Sequence, residues 1–426
     1  MFNILRYFGF VLVFAITGLQ AQVPQKFTFA KTPEDAGFSA ERLKKLDALE
    51  QSLVEQGIAP NAATMIIRHG KIVHYKAFGY RNIEKKIPLQ KDDIFRIASQ
   101  TKLFTTISVL MLFEEGKFYL DEPISKFIPA FKNPQVLEKV DEQDPSKYTT
   151  RPAKSEITIR QLLSHTSGIP YFHQLEKLEE FNIPYFCSTK PDVLKDVVDK
   201  IAKRPLIADP GTSFTYGLNS DILGRLVEIL SGMPLDEYFK TKIIEPLGLK
   251  NTYFYLPDSK ASRLVELYSK AKIDEPLKIC ETEEYRIYPI SGAKKYFSGG
   301  AGLVSTIEDY AKICQLILNK GEFNGVRLLS KSTVEMIGRN QIGNNFVWDR
   351  NDKFGLGLQI IGEESHYGDN STPNSLTWGG MYCSEYTIDP KEDMIILVFT
   401  NATPYAHYSE VVRKFRIMAY QALIGD

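Results

Sequence analysis

Ser99-Gln100-Thr101-Lys102 opens the stretch of sequence that organises this chain of 426 residues. The apolar residues after it recur at a helical period, and Gly116 supplies a stop: Leu103, Phe104, Ile107, Leu110 and Met111. Because positions i and i+3 share one face of a helix, the lysine amine can reach the serine oxygen. The positive end of the helix also favours negative charge developing on that oxygen. The stretch predicts a buried helix that begins with a candidate nucleophile, Ser99, and a base partner, Lys102.

The same spacing of serine and lysine occurs twice more, in Ser269-Lys270-Ala271-Lys272 and in Ser291-Gly292-Ala293-Lys294. The first copy lies in a charged stretch, and the second lies among glycines and lysines that are typical of a loop. Neither copy opens an apolar helix. We therefore interpret both as solvated surface.

Strand patterns cluster at the two ends of the chain. Residues 62–78 predict two strands joined by a tight turn at His69-Gly70, and residues 385–388 and 394–400 predict a second strand pair before a helix at about 409–423. Helical periods fill the middle, at residues 193–202, 222–230, 235–244 and 307–318. The polar, proline-containing residues 132–155 are interpreted as a long loop.

These patterns predict an α/β (α+β) fold, in which N- and C-terminal strands form an antiparallel sheet flanked by helices and a mostly helical domain is inserted. We assign residues 24–97 plus 290–426 to the sheet domain and residues 98–289 to the helical domain. The cleft between the two domains is the expected active site.

Composition excludes several classes of function. Lysine plus arginine and aspartate plus glutamate each number 52, so no basic field suggests a nucleic acid or an anionic membrane as partner. The four cysteines lack metal-type spacing, and the six histidines include no H-E-x-x-H motif. We expect a small-molecule substrate, no metal and no cofactor. Disulfides and the oligomeric state stay open.

The first residues have the pattern of a signal peptide. Arg6 precedes an apolar run over residues 7–19, and Ala21 offers a small residue for cleavage. The run is shorter than a membrane span requires, so no stable membrane anchor is expected. We predict cleavage of residues 1–21 and a secreted or periplasmic protein, with an uncleaved anchor as the alternative.

Two further segments supply groups that a serine nucleophile needs. Tyr216 follows a Pro-Gly turn and precedes a helix that begins near Ser220, where a phenol could exchange a proton with Ser99. Trp378-Gly379-Gly380 precedes the C-terminal strand pair, where glycines let a substrate approach the backbone and the next N–H can point at an oxyanion. Taken singly, each segment also fits ordinary packing or a β-bulge.

In order and coverage, these motifs resemble the serine β-lactamase and penicillin-binding superfamily, in particular its class C β-lactamase and carboxylesterase branch. The resemblance runs from about Gly37 to the C-terminus and includes residues 159–169, 245–252 and 302–306. It implies that Ser99 is the acylated nucleophile, Lys102 its base partner and Tyr216 the proton relay. It also implies an oxyanion hole from the N–H groups of Ser99 and Met381, and a structural role for His165.

The chain departs from the penicillin-recognising members at two positions. Leu218 stands where those members have an asparagine that binds the substrate amide, and Asn219 beside it is the available compensation. Trp378 stands where they have a lysine or histidine that helps to hold a carboxylate. The resemblance therefore implies a substrate surface made of Trp378, Gly379, Gly380, Leu218 and Asn219 that is more apolar and less selective.

The expected function is that of a secreted serine carboxylesterase for small neutral esters, acting through an acyl-enzyme on Ser99. Which of Lys102 and Tyr216 is the base in deacylation stays open. One alternative is a D-alanyl-D-alanine peptidase (a penicillin-binding protein) or a β-lactamase, with an amide substrate. A second, from a different class, is a non-catalytic protein that binds a cell-wall fragment in the same cleft.

Overall fold

Eighteen strands form within residues 24–366 and 369–425, which are the residues that the computed structural model describes. The strands are β1 Thr28–Phe29, β2 Asn61–Arg68, β3 Lys71–Asn82, β4 Ile87–Pro88, β5 Phe95–Arg96, β6 Gln135–Val140, β7 Tyr148–Pro152, β8 Tyr268–Lys270, β9 Lys278–Ile279, β10 Val304–Ser305, β11 Glu322–Phe323, β12 Val326–Arg327, β13 Lys353–Phe354, β14 Gln359–Ile360, β15 Leu376–Gly380, β16 Ser384–Asp389, β17 Met394–Phe399 and β18 Ala402–Tyr405. The predicted signal peptide, residues 1–21, lies outside the described residues.

Eleven α-helices form in the same described ranges. They are α1 Ala40–Glu55, α2 Thr101–Glu114, α3 Ile159–Leu163, α4 Leu194–Lys203, α5 Asn219–Ser231, α6 Leu235–Phe239, α7 Asp258–Ala261, α8 Glu283–Ile287, α9 Ile307–Leu318, α10 Lys331–Ile337 and α11 Lys414–Ala422. Single π-helical turns follow α6, at Lys240–Ile244, and precede α11, at Ser409–Arg413. None of these helices is both long and apolar enough to cross a bilayer.

A nine-stranded sheet joins the two ends of the chain. Its order is β1-β3-β2-β17-β16-β15-β14-β13, with β4 paired to β3. Strand β1 runs parallel to β3, and the other neighbours are antiparallel. Every residue of β2, β16 and β17 is buried, because α1 and α11 cover one face and α9 covers the other. The predicted α/β class with a sheet of N- and C-terminal strands is confirmed.

The hairpin between β2 and β3 turns where the sequence predicts. His69 and Gly70 both have positive φ, 53° and 70°, which is the conformation of a two-residue type I′ turn. That turn matches the right-handed twist of the strands it joins. It places β2 against β17, where residue 63 pairs with Phe399 and Arg68 pairs with Met394.

Helix α2 is the central helix of the molecule. Eleven of its fourteen residues are buried, including both polar and apolar positions. It packs against α5 and α6 on one side, while the turn that precedes it packs against β15. The helix predicted after Ser99 is confirmed, and it ends at Glu114 before Gly116, whose φ is +71°. Ser99 itself lies just ahead of α2, in a 3₁₀ turn over Ala98–Gln100.

The other helical predictions are also confirmed, by α4, α5, α6 with its π turn, and α9. The long loop predicted over residues 132–155 is wrong, because β6 and β7 form a hairpin there. Both of its strands are largely exposed, and their few apolar residues lack the regular alternation that marks a half-buried strand. The two-domain division at residues 98 and 290 stays a prediction.

Two further details concern positions discussed above. Ser269 and Lys270, interpreted as solvated surface, are buried in β8, because that strand is paired on both sides, by β18 and β9. The loop at Ser291 is exposed, as expected. All four cysteines are free and buried.

Shortening a buried side chain of the central helix should lower the stability of the fold. Ile107 on α2 is fully buried, so we expect Ile107→Ala to lower the free energy of unfolding by about 2 to 5 kcal/mol. The matched control is Ile273→Ala, whose side chain is 73% exposed and which should change the free energy by less than about 0.5 kcal/mol. Urea denaturation measures both, and equal losses would contradict the central position of α2.

Candidate active site

Ser99 is presented by a strained turn. Ala98 before it has a φ of +42°, a left-handed conformation that is unfavourable for a residue with a side chain. Strand β15 packs directly against this turn. Gly380 at the end of β15 permits the approach, because a Cβ atom there would lie 2.4 Å from the carbonyl oxygen of Ile97. The serine thereby lies beside the glycine-rich strand, although 281 residues separate it from Gly380.

Lys102 lies under the serine and is only 2% exposed. Its Nζ is 3.3 Å from Ser99 Oγ, 2.7 Å from the Tyr171 hydroxyl and 2.8 Å from the carbonyl oxygen of Gly300. An ammonium has three N–H donors, so these three acceptors satisfy it completely. A buried charge requires such partners. Loss of one proton from the ammonium leaves a lone pair that can accept the Ser99 hydroxyl.

A second buried group, Asp221, lies against the backbone of Gly300. Asp221 on α5 accepts hydrogen bonds from Ser298 Oγ at 2.7 Å and from the Tyr296 hydroxyl at 3.2 Å. Burial raises the pKa of the Asp221 carboxyl above its ordinary value, while the hydrogen bond from Ser298 and the charge of Lys102 oppose that rise. A Cβ atom at Gly300 would lie 2.7 Å from Asp221 Oδ2, so a residue with a side chain at position 300 would clash with the carboxylate.

Tyr216 contacts Lys102 through its ring. The lysine Nζ is 4.8 Å from the ring centre, a cation–π distance. The Tyr216 hydroxyl oxygen accepts a hydrogen bond from Trp378 Nε1 at 3.2 Å. Trp378 is therefore not simply an apolar replacement, because its indole N–H is directed at the phenol oxygen.

A cleft of about 250 Å³ opens above these groups. The residues that line it are Ser99, Tyr216, Trp348, Arg350, Gln359, Trp378, Gly379, Gly380, Met381, Glu385 and Tyr408. Six residues predicted from the sequence thus lie together on its walls, and they are Ser99, Tyr216, Trp378, Gly379, Gly380 and Met381. Lys102 lies beneath Ser99.

Leu218 and Asn219 are not among the residues that line this cleft, and their contact with substrate stays a prediction. Leu218 is buried in the main hydrophobic core. Asn219 is fully buried, accepts a hydrogen bond from Ser167 Oγ and directs its Nδ2 at His165 Nδ1, 2.8 Å away. The start of α5 turns both side chains inward, which a linear reading of the motif does not reveal.

His165 is the neighbour of Tyr216 and does not reach the cleft surface. Its ring centre is 4.8 Å from that of Tyr216. Burial, reinforced by the nearby Lys102, holds the pKa of His165 well below its ordinary value. The imidazole is therefore neutral at physiological pH, and it supports the position of Tyr216 through packing.

Sequence reasoning missed several residues of the site. Tyr171 follows the motif at residues 159–169 by two positions, so extending that motif would have found it. Burial, with a contribution from Tyr216, raises the pKa of the Tyr171 phenol well above its ordinary value, so the phenol stays protonated. Trp348 and Arg350 lie between α10 and β13, in a segment without a periodic pattern that could have indicated them.

Comparison with known proteins shows which family this chain is similar to. The Beta-lactamase family model matches residues 46–419. The chain is 30% identical to "Acyltransferase mokF" of Monascus pilosus over 328 residues, 75% of this chain and 76% of that one. It is 28% identical to a "Putative D-alanyl-D-alanine carboxypeptidase" of Salmonella typhimurium over 418 residues, 92% of this chain and 89% of that one.

Among solved structures, the chain resembles the simvastatin synthase LovD of Aspergillus terreus. The TM-score is 0.77 at 25% sequence identity, and the match covers 91% of this chain and 100% of LovD. The resemblance to the serine β-lactamase and penicillin-binding superfamily is thus confirmed over most of the chain. The chain belongs to the Beta-lactamase family, whose members are serine hydrolases or acyltransferases.

Proposed function

We propose that this protein hydrolyses small carboxylic esters through a covalent acyl-enzyme on Ser99. The observation that carries the proposal is the contact of Lys102 Nζ with Ser99 Oγ at 3.3 Å beside a cleft that also holds Tyr216 and Met381. A hydroxyl, an amine and a phenol that share one small cleft are the groups that nucleophilic acyl transfer requires.

In the proposed acylation, Ser99 Oγ attacks the ester carbonyl carbon as its proton passes to the Lys102–Tyr216 pair. Charge on the carbonyl oxygen is stabilised by the N–H groups of Ser99 and Met381. The same proton then passes to the alcohol oxygen as the C–O bond breaks. In deacylation, a water gives a proton to the pair as its oxygen attacks the acyl carbon. The bond from that carbon to Ser99 Oγ then breaks, the pair returns the proton to Ser99 Oγ, and the carboxylic acid leaves. Tyr171 stays protonated throughout and keeps Lys102 aligned.

Tyr216 is the proposed relay because its oxygen faces the cleft with a fixed donor behind it. The indole N–H of Trp378 stabilises negative charge on the phenol oxygen, and Lys102 stabilises it through the ring.

The hydrogen bond from Trp378 should have a measurable share in turnover. We expect Trp378→Phe to lower kcat for 4-nitrophenyl butyrate about 10-fold to 100-fold, because a hydrogen bond to a charged group contributes about 1.5 to 3 kcal/mol. The control is a double-mutant cycle with Tyr216→Phe, in which the tryptophan change should have almost no further effect. Additive losses in the cycle would show that Trp378 acts by another route.

A side-by-side assay tests the proposed function. Purified protein is given 4-nitrophenyl butyrate, nitrocefin and a D-alanyl-D-alanine peptide, and a fluorophosphonate probe is used to label the nucleophile. We expect ester turnover to exceed the other two rates and the label to map to Ser99. Rapid nitrocefin or peptide turnover with negligible ester hydrolysis would replace the proposal with the β-lactamase or peptidase alternative, and an unlabelled protein would favour a binding protein.

A second proposed activity is acyl transfer to a small alcohol. The aromatic side chains of Tyr216, Trp348 and Trp378 line the cleft, and their ring centres lie 5.0 to 5.8 Å from one another. Such a surface binds an alcohol better than water. The similarity in sequence to mokF, which is named an acyltransferase, supports this activity. Adding 1-butanol should divert acyl groups from the acid to the butyl ester, and an unchanged product ratio would exclude it.

We also propose that residues 1–21 direct export and are removed. Mass spectrometry of the protein from fractionated cells should find a mature chain that begins at Gln22, in the periplasm or the medium. An intact N-terminus in the membrane fraction would support the uncleaved anchor instead.

A further inference from the structure

Arg350 lies in the wall of the cleft, although neither the acyl-transfer cycle nor the family motifs use it. Its guanidinium carbon is 4.8 Å from the ring centre of Trp348, the distance of a stacked cation–π contact. Its Nη1 donates to Gln359 Oε1 at 3.2 Å. The side chain is therefore held in a defined place at the cleft.

The acceptor for Arg350 is itself fixed from behind. Gln359 is buried and donates through Nε2 to Asp352 Oδ2 at 2.6 Å. Asp352 is fully buried and also accepts the backbone N–H of Gly362 at 2.9 Å. Because the amide of Gln359 cannot rotate without losing the bond to Asp352, its Oε1 stays directed at Arg350. The guanidinium is thus positioned by a buried chain of hydrogen bonds.

Trp348 connects this guanidinium to the reacting groups. Its ring centre is 5.6 Å from that of Trp378, in a stacked arrangement, and 5.8 Å from that of Tyr216. The Trp348 ring therefore contacts both the Arg350 guanidinium and Tyr216, the proposed relay. Ser99 and Arg350 line the same cleft, so a substrate bound there can contact both.

Glu385, the acid that lines the same cleft, is already engaged by the protein. Its carboxylate accepts hydrogen bonds from Arg416 and from the Tyr408 hydroxyl. Arg416 pairs at the same time with Asp369, and all three charged groups are buried. Because one arginine is shared by two carboxylates, Arg416 compensates the negative charge of Glu385 only in part, and an anionic substrate still meets some repulsion from this group.

We propose that Arg350 binds a carboxylate of the substrate, so that the preferred substrates are esters that also carry a free carboxylate group. A guanidinium presents N–H donors in a planar fork that matches the two oxygens of a carboxylate. This inference rests on the proposed esterase function and names its substrate class. It replaces the neutral esters expected from the sequence, because that expectation considered only Leu218 and Trp378.

Paired substrates test the inference. 4-Nitrophenyl hemiglutarate carries the carboxylate on the acyl part, and 4-nitrophenyl valerate is its neutral counterpart. 4-Carboxyphenyl butyrate and phenyl butyrate place the same contrast on the leaving group, so the two pairs show on which side the carboxylate lies. We expect Arg350→Met to lower kcat/KM for one charged ester about 10-fold to 100-fold and to change its neutral counterpart less than about 3-fold.

Two controls define the effect. Arg350→Lys should recover part of the lost rate, since an ammonium keeps the charge but lacks the fork. Arg339→Met makes the same chemical change on an exposed residue outside the cleft and should leave all four rates unchanged. With the unmodified enzyme, a rise in salt from about 0.05 to about 0.5 M should lower the rate for the charged ester more than that for the neutral one.

Equal changes for charged and neutral esters in Arg350→Met, or no change in any, would overturn the inference, and so would equal salt effects on the unmodified enzyme. The esterase function would survive either result. Failure of that function has a different signature, in which the unmodified enzyme hydrolyses none of the four esters or the Ser99→Ala variant hydrolyses them all.

Discussion

The Ser99→Ala variant is expected to lose hydrolysis of 4-nitrophenyl butyrate almost completely, with kcat/KM lower by about 10⁴-fold or more. The substitution removes only the hydroxyl group, and without that group no acyl-enzyme can form. The cleft remains intact, so the variant should still bind the ester. Stopped-flow absorbance measures the loss, and mass spectrometry should detect the acyl adduct on the unmodified enzyme alone.

The chain supplies a matched control for this variant. Ser291→Ala removes the hydroxyl from another serine that precedes a lysine by three residues, in an exposed loop. We expect its rate to stay within about 2-fold of the unmodified enzyme, as is usual for surface substitutions. Hydrolysis that persists in Ser99→Ala, with both proteins folded by circular dichroism, would remove Ser99 from the mechanism.

The Lys102→Met variant should have the second largest effect, a fall in kcat of about 10³-fold. Methionine fills a similar volume but provides neither the amine that takes up the serine proton nor the positive charge under the Tyr216 ring. The loss should appear in the acylation step, so the initial burst of 4-nitrophenol disappears while substrate binding persists. Rapid-quench measurements separate these steps.

Lys294→Met is the corresponding control, because Lys294 holds the equivalent place after Ser291 and lies outside the cleft. Its burst should be unchanged. A burst of normal size in Lys102→Met would mean that Tyr216 alone takes up the serine proton, and the role proposed for the lysine would then be wrong.

Much of the fold could be predicted because its signals are local. The apolar period after Ser99 defines α2, and the pair His69-Gly70 has the one conformation that a two-residue hairpin requires. The hairpin of β6 and β7 escaped prediction for the opposite reason. Val136 is the one buried residue of its two strands, so the sequence there lacks a regular alternation of apolar and polar residues.

The site could be predicted only as far as its motifs extend along the chain. Ser99 and Lys102 are three residues apart, whereas Tyr171 and Gly300 reach the lysine through tertiary packing. The inward turn of Asn219 depends on Ser167 and His165, which belong to another segment. Arg350 has no sequence signal, because its place is set by stacking on Trp348 and by the buried amide of Gln359.

The three acceptors around the Lys102 ammonium link reactivity to completion of folding. They come from the same turn, from a segment 69 residues away and from one 198 residues away. An unfinished or proteolytically nicked chain does not bring Tyr171 and Gly300 to the amine, so Lys102 is not held against Ser99. Active-site titration with a fluorophosphonate would therefore count fully folded molecules, and the nucleophile would remain chemically silent during biosynthesis.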